Sequence, residues 1–348
     1  MKVIKKGIAA TAFSVFAAAG LVQAQKVDLV NNEKEKKVEV KIDGKAFTSY
    51  FYPGEDKLKK AVLYPVQTAK GTLITRGWPL DPRPGERVDH PHHVGIWLNY
   101  EDVNGNDYWN NSDAVDHAKR AYGTITHTGI KSIKSGKDKG ELTVTADWKD
   151  KDGVLTLRET TTYHFSGKGD QRVIDRATTL TAVLDEVSMP DIKDGMYAIR
   201  VARELELPSN KPEIFTDASG IATKVPVMNN EGITGNYRNS NGIEGEEVWG
   251  KRAIWCNLTG KIKDENISVA IIDHPKNVGY PAYWHARGYG LFAVNPLGMK
   301  ALSNGKETLN FKLKKGESTT FRYRLVIASE HLKDEAINAM AADYAKTK

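Results

Sequence analysis

Three of the chain's nine histidines fall within four residues, in the run Arg87-Val88-Asp89-His90-Pro91-His92-His93-Val94-Gly95-Ile96-Trp97. Imidazole titrates near neutrality and serves as general acid, general base or neutral metal ligand, so this density points to proton transfer or metal binding. Pro91 fixes its own φ and pushes His90 toward extended backbone. In an extended segment His90 and His92 lie on one face and His93 on the other. His90 and His92 are therefore the expected co-directed pair, either as acid or base or, with Asp89 or His285, as ligands of a divalent metal. No other cofactor is expected, and His93 is the better candidate for a structural role. Arg87 offers a guanidinium to a carboxylate or a developing oxyanion. Trp97, with Tyr108 and Trp109 just downstream, offers aromatic faces to a substrate. Asp102, Asn104 and Asn106 superficially match a calcium loop, but the twelfth position lacks its glutamate, and turn chemistry is expected instead.

A second cluster occupies residues 273–290 and carries His274, Tyr283, Trp284, His285 and Arg287. Tyrosine and tryptophan beside histidine and arginine suit a sugar, whose apolar ring face meets the aromatics while charged groups hold its hydroxyls. His285 is the expected partner of the first cluster and Arg287 a stabiliser of oxyanion charge, with His274, Tyr283 and Trp284 contacting substrate. Asp273-His274-Pro275 echoes Asp89-His90-Pro91; only folding can bring the two together, and two similar Asx-Pro turns are the plainer alternative. Arg200 and Glu204 form a third set. On a strand they share one face with Ala202, lining a cleft or marking an edge. The chain has no G-x-S-x-G elbow, P-loop, dinucleotide fingerprint, H-E-x-x-H helix or C-x-x-C pair, which disfavours serine hydrolases, nucleotide enzymes and thiol redox proteins.

Strands must position these residues. Residues 38–42 alternate in polarity, Asp43-Gly44 signals a hairpin turn, and 45–52 answer it. Further strand patterns occur at 141–148, 154–165, 171–184, 197–205, 267–272, 291–294, 308–313 and 319–327. One helix is expected near the C-terminus, capped by Ser329, with Ile337, Met340, Ala341 and Tyr344 at helical spacing. A second is expected in 112–121, and the Gly- and Asn-rich 232–250 reads as a long loop. Many strands, short turns and few helices make an all-β sandwich or barrel.

Residues 1–24 read as a signal peptide: Lys2, Lys5 and Lys6 precede an alanine-rich apolar run, and Val22-Gln23-Ala24 suits cleavage. The expectation is an exported protein, periplasmic in a Gram-negative source, with 25–348 forming one β-sandwich domain. No later segment reaches the ~18 apolar residues of a membrane span. Cys256 is the sole cysteine, so no internal disulfide forms and a buried thiol is expected. The net charge of +6 falls to +3 once the three leader lysines are removed. Without an arginine-rich stripe, nucleic acid is not an expected partner. Nothing specifies the oligomeric state.

The runs 87–97 and 273–290, together with Asp102-Val103-Asn104-Gly105 and Asn295-Pro296-Leu297-Gly298, resemble the PmoA-like family of exported bacterial proteins over nearly the whole mature chain. That family is similar to the galactose-mutarotase-like supersandwich group of aldose epimerases, polysaccharide lyases and some glycosidases. The resemblance implies a large antiparallel β-sandwich, a carbohydrate ligand, and acid/base chemistry (epimerisation, elimination or hydrolysis) on a glycoside or oxidised (keto) glycoside. A non-catalytic periplasmic sugar-binding protein is the alternative. A copper-dependent oxygenase accessory role, suggested by the family's label, is a weaker third.

Overall fold

The computed structural model describes residues 24–225 and 229–347. The leader reading for 1–24 therefore lies outside the described residues, Ala24 excepted. Alternating sequence becomes alternating burial. Gly140–Lys149 and Gln171–Ala182 each bury every second side chain, as expected of strands with one face on a core and one toward solvent.

Two eight-stranded antiparallel sheets result. The first runs, edge to edge, through Val27–Asn32, Lys37–Ile42, Lys45–Phe51, Val62–Val66, Ile96–Tyr100, Gly195–Arg200, Leu291–Asn295 and Tyr283–Arg287. The second runs through Asn236–Asn239, Trp255–Ile262, Glu265–Asp273, Ser318–Ala328, Gln171–Ala182, Leu155–Lys168, Gly140–Lys149 and Thr124–Lys134. The fold is thus the expected large antiparallel β-sandwich with a C-terminal helix. Trp148, Phe165, Ile174, Leu180, Phe292 and Val294 belong to its shared core. Full burial of each such side chain contributes about 1.5–3 kcal/mol. Glu159 is sunk among them, and it accepts from Trp148 Nε1 at 2.9 Å and Arg176 Nη2 at 3.2 Å. Those partners offset the cost of burying a carboxylate.

In the first sheet, Ile96–Tyr100, Gly195–Arg200 and Leu291–Asn295 are buried on both faces. One face meets the core and loops cover the other, so these strands lack alternation. Several expectations change here. The strand expected over 197–205 stops at Arg200, and Arg203–Leu205 is a 3-10 turn, so Arg200 and Glu204 share no strand face. Residues 112–121 form turns and bends, not a helix. Ser329 caps nothing; its hydroxyl donates to Glu265 at 2.6 Å, and the helix spans Asp334–Tyr344. Ile337 and Tyr344 of that helix pack on Trp255, Ile272 and Val326. The 232–250 stretch holds the short strand Asn236–Asn239 and a 3-10 turn, Gly245–Val248. Asp102 accepts from the Gly105 amide at 2.8 Å, which is turn chemistry. Cys256 is buried and free. Among the described residues no helix is long and apolar enough to cross a membrane.

Candidate functional site

Strand register sets the floor of the site. Trp97 pairs with Ala198, Ala198 with Ala293, and Ala293 with His285. Cross-strand partners share a face, so these four side chains form one row. Ile96, Leu98, Tyr197, Ile199, Phe292 and Val294 point into the sandwich core, whereas Trp97, Ala198 and Ala293 join a separate cluster on the outer side. Arg200, Leu291 and Arg287 form the neighbouring row. His285 is therefore two strands and one row from Arg200, roughly 12 Å at Cα from standard spacings.

The histidine-rich segment folds over this face, but not in the extended form expected. The His93 amide donates to the His90 carbonyl at 2.9 Å, closing a turn, and His90 takes a left-handed φ of 43°. His90 and His92 are consequently not co-directed; their rings meet at 81°. The cause is Arg76, a buried residue with no place in either motif. Its guanidinium donates to the carbonyls of Asp89 at 2.8 Å and of His90 and His93 at 3.0 Å each, drawing the segment into a curl. His90 instead lies parallel to His93 (4.7 Å between centroids) and to Tyr289 (5.1 Å). His93 in turn stacks on Trp97 at 5.2 Å.

Asp89 organises the charges. It accepts from Arg200 Nη2 at 2.6 Å and from Arg76, and its Oδ2 lies 2.7 Å from His90 Nδ1. Burial pushes this carboxyl up. Arg200, the His90 hydrogen bond and Arg76 outweigh that and hold it well below the usual carboxylate range. An ionised carboxylate only accepts, so His90 Nδ1 donates to it and Nε2 is the ring nitrogen left for a substrate. His90 remains 41% exposed at its side chain, so this nitrogen is reachable. Asp89 is thus spent on two arginines and one imidazole, and it is not free to complete the metal site expected with His90 and His92. Among the described residues no three His, Cys, Asp or Glu side chains are placed to hold a metal ion.

His92 and His93 are buried, and burial followed by neighbouring cationic groups holds both well below the usual imidazole range. They stand neutral. Arg200 Nη1 donates to His93 Nδ1 at 3.2 Å, while His93 Nε2, both nitrogens of His92 and Trp97 Nε1 have no protein partner. Unpaired buried polar atoms cost about 1–3 kcal/mol each, so this histidine layer is held at an energetic cost. Beneath them Lys60 Nζ donates to the His92 carbonyl at 2.7 Å; burial pushes this lysine down to about 7.

His285 is buried, with Nδ1 2.9 Å from the Lys193 carbonyl and 3.4 Å from Asp194 Oδ1. Burial pushes it down to about 4, against the pull of Asp194. Beside it, burial and the Asp194 carboxylate push Glu101 up to about 7 despite a 2.8 Å bond from Arg120. Sequence reasoning missed Arg76, Lys60 and Asp194, isolated residues without diagnostic spacing, and did not single out Glu101 or Tyr289 although Tyr289 lies within the 273–290 cluster.

The other expected site residues scatter. Arg87 is buried against Glu206 at 2.6 Å and Glu213 at 3.1 Å, so it clamps loops together. Trp109 packs on Trp97 at 5.3 Å, inside the cluster. Tyr108 packs on Trp148 with the rings tilted at 42° and bonds Thr156, and Trp284 Nε1 donates to the Ala253 carbonyl; both lie in the core with no face for a ligand. Tyr283 carries Arg252 over its ring at 4.6 Å. Glu204 lines a separate cavity with Arg83 and Arg203. His274 packs against Tyr344 of the C-terminal helix, and Asp273 accepts from Asn277 and the Ala282 amide. The second Asp-His-Pro triplet is therefore a turn, not an opposing wall. Arg287 is exposed, 5.9 Å from the Tyr289 ring that His90 parallels. His90 and Arg287 thus flank one exposed surface, while His92 and His285 lie buried near it.

None of the curated proteins compared with the chain matches it. Among solved structures, the GH36 α-galactosidase AgaB from Geobacillus stearothermophilus is 12% identical with a TM-score of 0.34. That match covers 86% of this chain and 40% of the galactosidase, so the chain spans about two fifths of that enzyme's length. The Slr1438 protein from Synechocystis sp. PCC 6803 is 8% identical (TM-score 0.33; 92% of this chain and 100% of that one). A GalM/aldose epimerase homologue from C. elegans is also 8% identical (TM-score 0.29; 88% and 100%). Residues 37–342 match the family described as "Family of unknown function (DUF6807)", and the chain belongs to that family.

Proposed function

We propose that the chain is an exported carbohydrate-active enzyme that uses the Asp89/His90 dyad for proton transfer on a glycoside or keto glycoside. One observation carries this reading: His90 is exposed, yet its Nδ1 is held 2.7 Å from a carboxylate that two buried arginines keep ionised. An imidazole oriented by a carboxylate is the arrangement of a general base, and the same carboxylate stabilises the imidazolium once the proton arrives. His90 Nε2 removes a proton from a sugar carbon in epimerisation or elimination, or from the attacking water in hydrolysis, and the imidazolium so formed returns a proton to the product or the leaving oxygen. Tyr289, stacked on His90 with Arg287 5.9 Å from its ring, links the dyad to that exposed arginine. The resemblance of the two histidine motifs to the PmoA-like family, and of that family to mutarotase-like proteins, supports a sugar as ligand. The basic and apolar pattern of residues 1–24 supports export.

The test is turnover of a panel of glycosides and 3-keto-glycosides, followed by chromatography, with wild type and His90→Gln. At least one substrate is consumed by wild type, and the variant loses about 10²–10⁴-fold in rate. Sugars that bind but emerge unaltered would instead favour the non-catalytic sugar-binding protein.

A further inference from the structure

A cavity of about 140 Å³ adjoins the exposed surface at Arg287, lined by Lys211, Glu246, Trp249, Ala286, Arg287 and Gly288. Its volume is many times the roughly 10–15 Å³ that one water needs. The Arg287 guanidinium lies 5.6 Å from the Trp249 ring and 5.9 Å from the Tyr289 ring. Nearby arginines are spent: Arg76 and Arg200 on Asp89, Arg87 and Arg203 on Glu206, Arg252 on Glu307. Among the described residues, neither Arg287 nor Lys211 has a carboxylate within 4.0 Å. Trp249 Nε1 is buried without a partner. A Cβ at Gly288 would meet Glu246 Oε1 at 2.7 Å, so the glycine lets that carboxylate lie close along the cavity wall.

We infer that this cavity is a subsite for a carboxylate-bearing sugar, a uronic acid residue. The inference rests on the carbohydrate reading and narrows its substrate class. The planar Arg287 fork donates to a carboxylate in bidentate fashion, and Lys211 adds a second cation. The Trp249 ring covers the apolar face of the sugar, and Glu246 accepts from a hydroxyl. Because Tyr289 neighbours both Arg287 and His90, a uronic acid held at Arg287 brings its adjoining glycosidic bond toward the dyad.

Calorimetric titration with uronic-acid disaccharides and their neutral counterparts, in the gluco, galacto and manno series, tests this. In at least one series the acidic sugar binds about tenfold tighter, the worth of one charge-assisted hydrogen bond, and the advantage shrinks as salt is added. Arg287→Gln, at an exposed position that leaves the thermal melt unchanged, removes that advantage while neutral sugars bind as before. Equal binding of acidic and neutral sugars, or acidic binding untouched by Arg287→Gln, overturns the uronic acid subsite and leaves the carbohydrate reading standing. No binding of any sugar overturns both.

Discussion

Arg200, fully buried at the end of its strand, donates through Nη2 to Asp89 Oδ1 across 2.6 Å, and this bond joins the sheet floor to the histidine turn. Arg200 also donates to His93 Nδ1, so one guanidinium fixes both a carboxylate and an imidazole tautomer. Removing one partner of a buried ion pair strands the other. Arg200→Met is therefore expected to cost about 3 kcal/mol, the low end of the usual range because Arg76 still holds Asp89. Urea denaturation measures it, and a loss below about 1 kcal/mol would show that the pair does not anchor the turn.

The depressed Asp89 carboxyl also gives a pH signature. Its folded value lies below the unfolded one, so its contribution is fully present above about pH 4 and is lost as pH falls further. Wild type should therefore lose melting temperature more steeply than Asp89→Asn between about pH 4 and pH 2. Parallel curves would mean the carboxylate is not stabilised by its arginines.

Glu101 has the opposite sign. Burial and Asp194 raise its folded value to about 7, above the unfolded carboxyl. The folded state then binds more protons than the unfolded one between about pH 4 and 7, and stability falls as pH rises through that window. Glu101→Gln removes the titration, so its melting temperature should gain on wild type from pH 5 to pH 8. A constant difference would place Glu101 in ordinary solvent.

Much of the sandwich was legible because polarity alternates along strands such as Gly140–Lys149, where a buried residue follows each half-exposed one. Alternation disappears where both faces are covered, so the end of the strand at Arg200 was misplaced and Glu204 was assigned to a shared face it does not have. The histidine density at 90–93 pointed to the right segment but not to its shape. Arg76, which curls that segment, lies 13 residues before Asp89, and no local rule connects a lone arginine to three later carbonyls. Likewise Asp89-His90-Pro91 and Asp273-His274-Pro275 share a triplet yet differ in place. Asp89 meets two buried guanidinium groups, whereas Asp273 is used up by the amides of its own turn and by Asn277.

Lys60 supplies the sharpest remaining test of how the turn is held. Its ammonium is buried, donates to the His92 carbonyl at 2.7 Å, lies 5.4 Å from the Trp97 ring, and has no carboxylate within 4.0 Å among the described residues. Burial lowers it to about 7, whereas an unfolded lysine titrates near 10.4. Between those values the unfolded chain binds more protons, so wild-type stability rises with pH from about 7 to about 10. Lys60→Met keeps the apolar stem and removes the titrating amine. At pH 6 the variant escapes the desolvation cost, and it should melt at or above wild type. At pH 10 the neutral wild-type amine still donates to His92, and wild type should be ahead. A crossover in melting temperature between the two is the expected result. If Lys60→Met instead trails wild type by the same margin at every pH, the lysine is solvated in solution, and the 89–93 turn is held by Arg76 and Arg200 without it.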